Sequence, residues 1–187
     1  MKTEHLLIMR FTALSEVAML VPVVSSLAQQ YPELRITVLS NPFARSLFDG
    51  IAHNVGFMAA DLNGEYHGVK GLNALYRRLV AKNFTAIADM QSILRSSYLR
   101  MRFNISSYRV EHLDNHRQDR RQLIASKDKR LKQLPSLFDD YIDVLARLGY
   151  NVRLDFQSLF PPTGGNLRLV SDRIGEKKMF QQWIGIA

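Results

Sequence analysis

Ser15 and Glu16 lie where an apolar segment, Leu6–Met9, gives way to a stretch with helical periodicity. The apolar run predicts a buried parallel strand, and ligands of open α/β sheets bind outside the carboxyl ends of the strands. Glu16 is therefore placed where a carboxylate can act on a bound substrate. The structural alternative is that Ser15 is the N-cap and that Glu16 is favoured there by the helix dipole. From these two residues alone, we favour capping.

Two further polar side chains follow another predicted strand, Phe84–Met90. Gln91 and Arg95 should lie at the same carboxyl edge of the sheet, because parallel strands end together. Arg offers a bidentate fork to phosphate or carboxylate groups, so this pair could hold an anionic substrate. The alternatives are a turn-stabilising amide for Gln91 and an Arg95 side chain that extends along its helix to solvent.

The formal net charge of the 187-residue chain is +8, and most of the excess is concentrated in one segment. Between Arg95 and Lys132 there are eleven Lys or Arg and four Asp or Glu, among them Arg117, Arg120 and Arg121. Such a concentration predicts an anionic partner, which could be a phosphorylated glycolipid, a membrane surface or nucleic acid. A solvated helix face is the alternative. Nucleic acid is not expected, because no aromatic residues interleave with these arginines and no recognised binding motif is present.

Several kinds of site are not expected from the sequence. Without cysteine there is neither a disulfide framework nor a thiolate metal site. His112 and His116 have the spacing of a metal pair on a helix, but no H-E-x-x-H accompanies them and we expect them to be solvated. Neither a G-x-G-x-x-G motif nor a P-loop occurs. We therefore predict no metal and no cofactor.

Alternating strands and helices must position these candidates. The predicted strands are Leu6–Met9, Arg35–Ser40, Asn54–Ala60, Phe84–Met90 and the segment SYRVEHL, and the predicted helices are Glu16–Gln30 (with a kink at Pro22), Asn41–Gly50, Gly71–Asn83, Ser92–Phe103, Asn115–Ala125 and Ser136–Leu148. This order predicts a doubly wound, mainly parallel, Rossmann-like α/β sheet. The apolar run at the amino end is too short for a signal peptide, and no run approaches the ~20 residues that span a bilayer, so we expect a cytoplasmic protein.

Three segments together resemble the heptosyltransferase-type enzymes of glycosyltransferase family nine. They are LLIMRFTALSEVAMLVPVVSSLAQQYP, TAIADMQSILRSSYLRMRF and the basic helical stretch from Leu113 to Val152. In that family, the first strand is followed by Arg or Lys, a small-residue turn, Gly-Asp, and a helix with an early Pro. The resemblance implies one half of a GT-B architecture, in which two Rossmann-like domains face each other.

The resemblance also implies an activity, namely inverting, metal-independent transfer of a sugar from a nucleotide sugar such as ADP-heptose to a phosphorylated glycolipid of the lipopolysaccharide core. The family's catalytic carboxylate corresponds to Glu16, and its Gly-Asp is Ser15-Glu16 here. The residues expected to bind the acceptor are Thr12, Ser15, Gln91, Arg95, Arg117, Arg120 and Arg121. Contact with the anionic inner membrane surface would follow from such an acceptor.

For domain organisation, the resemblance implies an acceptor-binding domain over residues 1–175, with residues 176–187 a linker and the start of a nucleotide-sugar domain. On that interpretation, the isolated chain would be inactive. Two other functions stay open: a non-catalytic, degenerate family member, suggested by the change from Gly-Asp to Ser15-Glu16, and a basic nucleic-acid-binding module.

Overall fold

The computed structural model describes residues 4–125 and 131–158. Its strands, numbered along the chain, are β1 His5–Met9, β2 Arg35–Ser40, β3 Val55–Ala59, β4 Ala86–Asp89 and β5 Arg109–His112. All neighbouring strands pair in parallel, in the order β3-β2-β1-β4-β5. The predicted Rossmann-like α/β class is confirmed, and every predicted strand is present within a few residues of its expected position.

Helices cover both faces of this sheet. They are α1 Leu14–Ala18, α2 Leu20–Gln30, α3 Gly68–Val80, α4 Leu94–Ile105, α5 Arg117–Ile124 and α6 Leu137–Arg147, with a 3-10 helix at Pro42–Leu47. Residues of β1 alternate between two buried clusters: Leu6 and Ile8 pack with α2 and α6, whereas Leu7 and Met9 pack with α3 and α4. Because both faces of the central strand are buried, its sequence is apolar from Leu6 to Met9.

The predicted helix Glu16–Gln30 is divided in two. Helix α1 ends at Ala18 and α2 begins at Leu20, with Met19 between them. Pro22 has no N–H to donate to the carbonyl of Ala18, four residues earlier, and this explains why the helix is interrupted there. The sequence predicted a kink or a looser start to the helix, and the structure has a one-residue interruption at Met19, whose backbone keeps a right-handed helical conformation.

The interpretation of Ser15 as an N-cap is wrong. Helix α1 begins at Leu14, and Ala13 occupies the N-cap position without a side-chain hydrogen bond to the helix. Ala13 has φ of 51°, in the left-handed region that non-glycine residues seldom adopt. Ser15 is therefore inside the first turn with Glu16, and its hydroxyl satisfies none of the helix's free N–H groups.

The residues up to Phe156 form one compact unit. Within the described ranges, no helix is long and apolar enough to cross a membrane. The predicted domain boundary at residue 175 and the expected start of a nucleotide-sugar domain within residues 176–187 lie outside the described residues.

Candidate functional site

The carboxyl ends of β1 and β4 meet at the point where the strand order reverses. β1 is central, with β2 on one side and β4 on the other, and Met9 lies opposite Asp89 in the β1–β4 register. In open α/β folds, ligands bind in the crevice outside the strands at such a switch point. The chain leaves β1 at Arg10 and leaves β4 at Met90, so the side chains just beyond these residues form the candidate site.

Gln91 joins the two loops at this point. Its Oε1 accepts hydrogen bonds from the backbone N–H groups of Phe11 at 2.6 Å and Thr12 at 3.3 Å, and its Nε2 donates to the Thr12 hydroxyl at 2.6 Å. The Gln91 side chain is only 3% exposed. Of the sequence-predicted set, Thr12 and Gln91 are thus brought into direct contact, with Thr12 on the exposed side.

Arg10 holds Glu16 in place. Its buried guanidinium donates to the carbonyl oxygen of Met90 and forms an ion pair with Oε2 of Glu16. The Glu16 side chain keeps 42% of its surface exposed, and no described residue hydrogen-bonds its other carboxylate oxygen, Oε1. The carboxylate is therefore anchored through one oxygen and open to solvent through the other.

Tyr141 of α6 supports this pair from the core. Its ring lies 5.5 Å from the Arg10 guanidinium carbon, and its hydroxyl donates a 2.9 Å hydrogen bond to the backbone carbonyl of Glu16. Burial raises the pKa of the Tyr141 hydroxyl far above its ordinary value of 10, so this group stays protonated and remains a donor. Tyr141 itself is fully buried in the core.

The turn after β4 is built by a buried carboxylate. Oδ1 of Asp89 accepts the N–H groups of Gln91 at 3.1 Å and Ser92 at 3.0 Å, while its Oδ2 lies 3.4 Å from Nη1 of Arg100. Ser92, with φ of 53°, donates its hydroxyl to the carbonyl of Leu113 at 2.6 Å. Asp89 thus fixes the conformation that presents Gln91 to the β1 loop.

The predicted basic residues are more spread out. Arg95, in the first turn of α4, donates to Oδ1 of Asn63 at 2.7 Å and so connects the loops after β4 and β3. Arg117 lines an open groove of about 1120 Å³ beyond the ends of β4 and β5, where Arg100 and Arg147 are the other arginines. Arg120 and Arg121 are exposed on α5 and do not line this groove.

The two histidines do not form a metal pair. Nε2 of His116 lies 2.8 Å from Oδ1 of Asp140, which ties the start of α5 to α6. His112 is exposed at the end of β5, and its pKa is lowered by burial of its ring and by the nearby Arg100. No cluster of three potential metal ligands occurs among residues 4–125 and 131–158.

Sequence reasoning missed three residues that build the site. No role was predicted for Arg10, although a charged residue directly after a buried strand can indicate a functional site. Asp89 and Arg100 gave no signal, because their pairing depends on how α4 folds back over the turn.

Comparison with solved structures identifies the class of protein that has this fold. The chain is similar to a glycosyltransferase of family 9 from Veillonella parvula, with a TM-score of 0.57 and 17% identity over 84% of this chain and 47% of that one. It is also similar to the E. coli heptosyltransferase WaaC with ADP-2-deoxy-2-fluoro heptose, with a TM-score of 0.57 and 15% identity over 81% of this chain and 50% of that one. The structure of WaaC with ADP gives a TM-score of 0.55, also at 15% identity, over 81% and 49% of the two chains.

This chain therefore has the fold of part of a glycosyltransferase and spans about half the length of the structures that it matches. A scan of the sequence against protein-family models finds no match, and a search of curated proteins finds none either. At 15–17% identity the likeness concerns the fold.

Proposed function

We propose that this chain is the acceptor-binding half of an inverting glycosyltransferase of the heptosyltransferase type, with Glu16 as the general base. One observation carries the proposal: Glu16 lies beyond the carboxyl end of β1 at the switch point, where Arg10 holds Oε2 and Oε1 is open to solvent. The fold shared with WaaC and the family 9 structure supports the same class.

In the proposed reaction, the acceptor hydroxyl oxygen attacks the anomeric carbon of a nucleotide sugar such as ADP-heptose. The new C–O bond forms as the bond from that carbon to the diphosphate oxygen breaks, and the hydroxyl proton passes to Oε1 of Glu16. General-base catalysis needs the carboxylate within hydrogen-bond reach of the hydroxyl, and an ion pair that fixes one oxygen restricts the position of the other. No step requires a metal.

The acceptor is proposed to be a phosphorylated glycolipid. Arg95 at the edge of the sheet and Arg117 in the groove would contact its phosphates, and Thr12, Ser15, Arg120 and Arg121 complete the predicted set. The Gln91 amide is buried and hydrogen-bonded to Phe11 and Thr12. Gln91 would therefore act on the acceptor only through Thr12. A glycolipid of the lipopolysaccharide core would place the protein at the cytoplasmic side of the inner membrane.

Binding is tested by NMR titration of the chain with a deacylated, phosphorylated lipopolysaccharide core oligosaccharide. We expect amide shifts between Thr12 and Glu16 and near Arg95, and loss of these shifts with the enzymatically dephosphorylated oligosaccharide. Shifts confined to other parts of the sheet, or no shifts at all, would contradict the proposal.

The role of Glu16 is tested by turnover with Glu16→Gln in a full-length version that also carries the nucleotide-sugar domain. This substitution preserves the shape of the side chain and Arg10 as a donor to it, so acceptor affinity should stay within about twofold, while turnover should fall at least about 10²-fold. Glu33→Gln is the matched control, because it makes the same change of charge at an exposed residue just before β2, at the opposite edge of the sheet. Unchanged turnover in Glu16→Gln would refute the assignment.

A non-catalytic function is the second candidate, and the ion pair with Arg10 favours it. An arginine that neutralises Glu16 also explains this carboxylate as an anchor between α1 and the end of β1. The double substitution Ser15→Gly with Glu16→Asp, made in the same full-length version, separates the two cases. If the natural sequence is inactive and this variant transfers sugar, the chain is a degenerate member of the class.

A further inference from the structure

Helix α4 has an apolar stripe on the side that faces solvent. Leu94, Met101 and Ile105 are seven and four residues apart, so they lie along one line of the helix, and Leu94 is 88% and Ile105 74% exposed. The opposite side of α4, at Leu99 and Phe103, is already buried in the core. Apolar residues on the outer side are therefore not needed for packing of this domain.

All charged residues of α4 and its neighbour α3 are positive. Helices α3 and α4 together contain six Lys or Arg and no Asp or Glu, namely Lys70, Arg77, Arg78, Arg95, Arg100 and Arg102. Lys70, Arg77 and Arg102 line an open groove between the two helices, and the exposed Val69 lies at its edge. Neither Lys70 nor Arg77 forms an ion pair with a residue in the described ranges.

We infer that the α3–α4 face, defined by Val69, Lys70, Arg77, Leu94, Met101 and Ile105, docks on an anionic lipid bilayer. Exposed apolar side chains beside unpaired cations, without acids, have the chemistry of an interfacial helix. The apolar groups enter the boundary between headgroups and acyl chains, and the cations meet the phosphates. The inference deepens the proposed function, on which it rests for the presence of a membrane, by naming the surface that meets the bilayer. Most of this face is formed by the outer surfaces of the two helices, and Leu94 also lines the groove of Arg117.

The full chain is tested by co-sedimentation with vesicles of equal parts phosphatidylglycerol and phosphatidylcholine, and with pure phosphatidylcholine vesicles. No sugar acceptor or donor is present, so the result does not depend on the function of Glu16. We expect binding to the anionic vesicles only, weakened between about 0.1 and about 0.5 M salt because the exposed charges become screened. Equal binding to both vesicles, or no binding, would overturn the inference.

Two pairs of substitutions locate the docking surface. Lys70→Gln with Arg77→Gln should weaken binding roughly 30-fold, since each cation near an anionic surface contributes about a factor of five. Leu94→Ser with Ile105→Ser should weaken binding at least about tenfold, since the exposed aliphatic groups can no longer enter the bilayer. All four side chains lie outside the hydrogen-bonded core, and circular dichroism verifies that each variant is folded.

Matched control variants carry the same changes elsewhere. Arg35→Gln with Arg153→Gln removes two exposed cations, and Ile124→Ser with Leu131→Ser removes two aliphatic side chains that are each 84% exposed. Both controls should bind within about twofold of the natural chain. If the controls weaken binding as much as the α3–α4 variants do, the surface assignment is wrong.

Two other partners could bind this face, and each would give a result that differs from the expected one. Light scattering that shows a dimer in the natural chain and a monomer in Leu94→Ser with Ile105→Ser would identify a second copy as the partner and overturn the inference. Binding to an acidic protein without binding to anionic vesicles would overturn it as well. If one pair of substitutions unfolds the chain, the other pair decides the result.

Discussion

Replacement of Gln91 by Leu should destabilise the protein by about 2–4 kcal/mol. The amide oxygen of Gln91 accepts the N–H groups of Phe11 and Thr12, and its nitrogen donates to the Thr12 hydroxyl. Phe11 is only 2% exposed, so its N–H would be left without a partner or water. A buried, unsatisfied N–H costs about 1–3 kcal/mol, and each other lost bond about 0.5–1.5 kcal/mol, less where water can replace it.

Thr12→Val provides the matched control for this prediction. It removes the hydroxyl from the same contact, but the backbone N–H groups of Phe11 and Thr12 keep their bonds to the amide oxygen of Gln91, so only one hydrogen bond is lost. We therefore expect a loss of no more than about 1 kcal/mol. Urea unfolding of the natural chain and both variants, analysed with a common m value, gives the two differences.

The prediction is decided by the difference between the two variants in free energy of unfolding. A Gln91→Leu variant within about 0.5 kcal/mol of the natural chain would refute the role of the buried amide. So would a Thr12→Val variant that is as destabilised as Gln91→Leu. Since domains of this size are stable by only about 5–15 kcal/mol, the predicted loss is large enough to measure easily.

Two other predictions concern Tyr141 and His5. Tyr141→Phe removes the hydrogen bond to the Glu16 carbonyl, while the ring beside Arg10 stays. The free energy of unfolding should therefore fall by about 1 kcal/mol. A melting temperature equal to that of the natural chain would contradict this prediction. The pKa of His5 is lowered from 6.5 by burial and by Arg35, so the unfolded chain binds a proton more readily. Stability should therefore fall as the pH drops from about 7 through 6.5 towards the folded pKa, and His5→Asn should reduce this slope in unfolding experiments at several pH values. An unchanged slope would show that other groups cause it.

The strands and their order along the chain could be predicted from the sequence because each strand of this sheet has a local signature. Leu6–Met9 is apolar at every position, as a strand covered on both faces must be, and the alternation with helices restricts the sheet to parallel pairing. Pro22 likewise indicated that the first helix would be irregular. These features depend on residues that are close together in the sequence, so they can be predicted from it.

The candidate site could be predicted only in part, since its contacts join distant residues. Glu16 was placed at the carboxyl edge by the rule for open sheets, whereas Thr12 was proposed only through the family resemblance. The anchoring of Glu16 depends on a tyrosine 125 residues later, and the loop of Thr12 depends on an amide 79 residues later. Contacts between residues so far apart in the chain produce no periodic pattern in the sequence. Ser15 was wrongly predicted to be the N-cap, because helix α1 already begins at Leu14. The residue before it, Ala13, has a positive φ, and nothing in the sequence indicates this.

The central position of β1 has a consequence for how the chain is made. Among the described strands β1 is translated first, yet one of its two neighbours, β4, pairs Ala86 with Leu6 and is translated about 80 residues later. At roughly 5–20 residues per second, one edge of a strand that is apolar from Leu6 to Met9 waits about 4–16 s for its partner. During that interval the nascent amino-terminal segment exposes a template for aggregation, so its yield in cells should depend on chaperones that bind before Ala86 emerges.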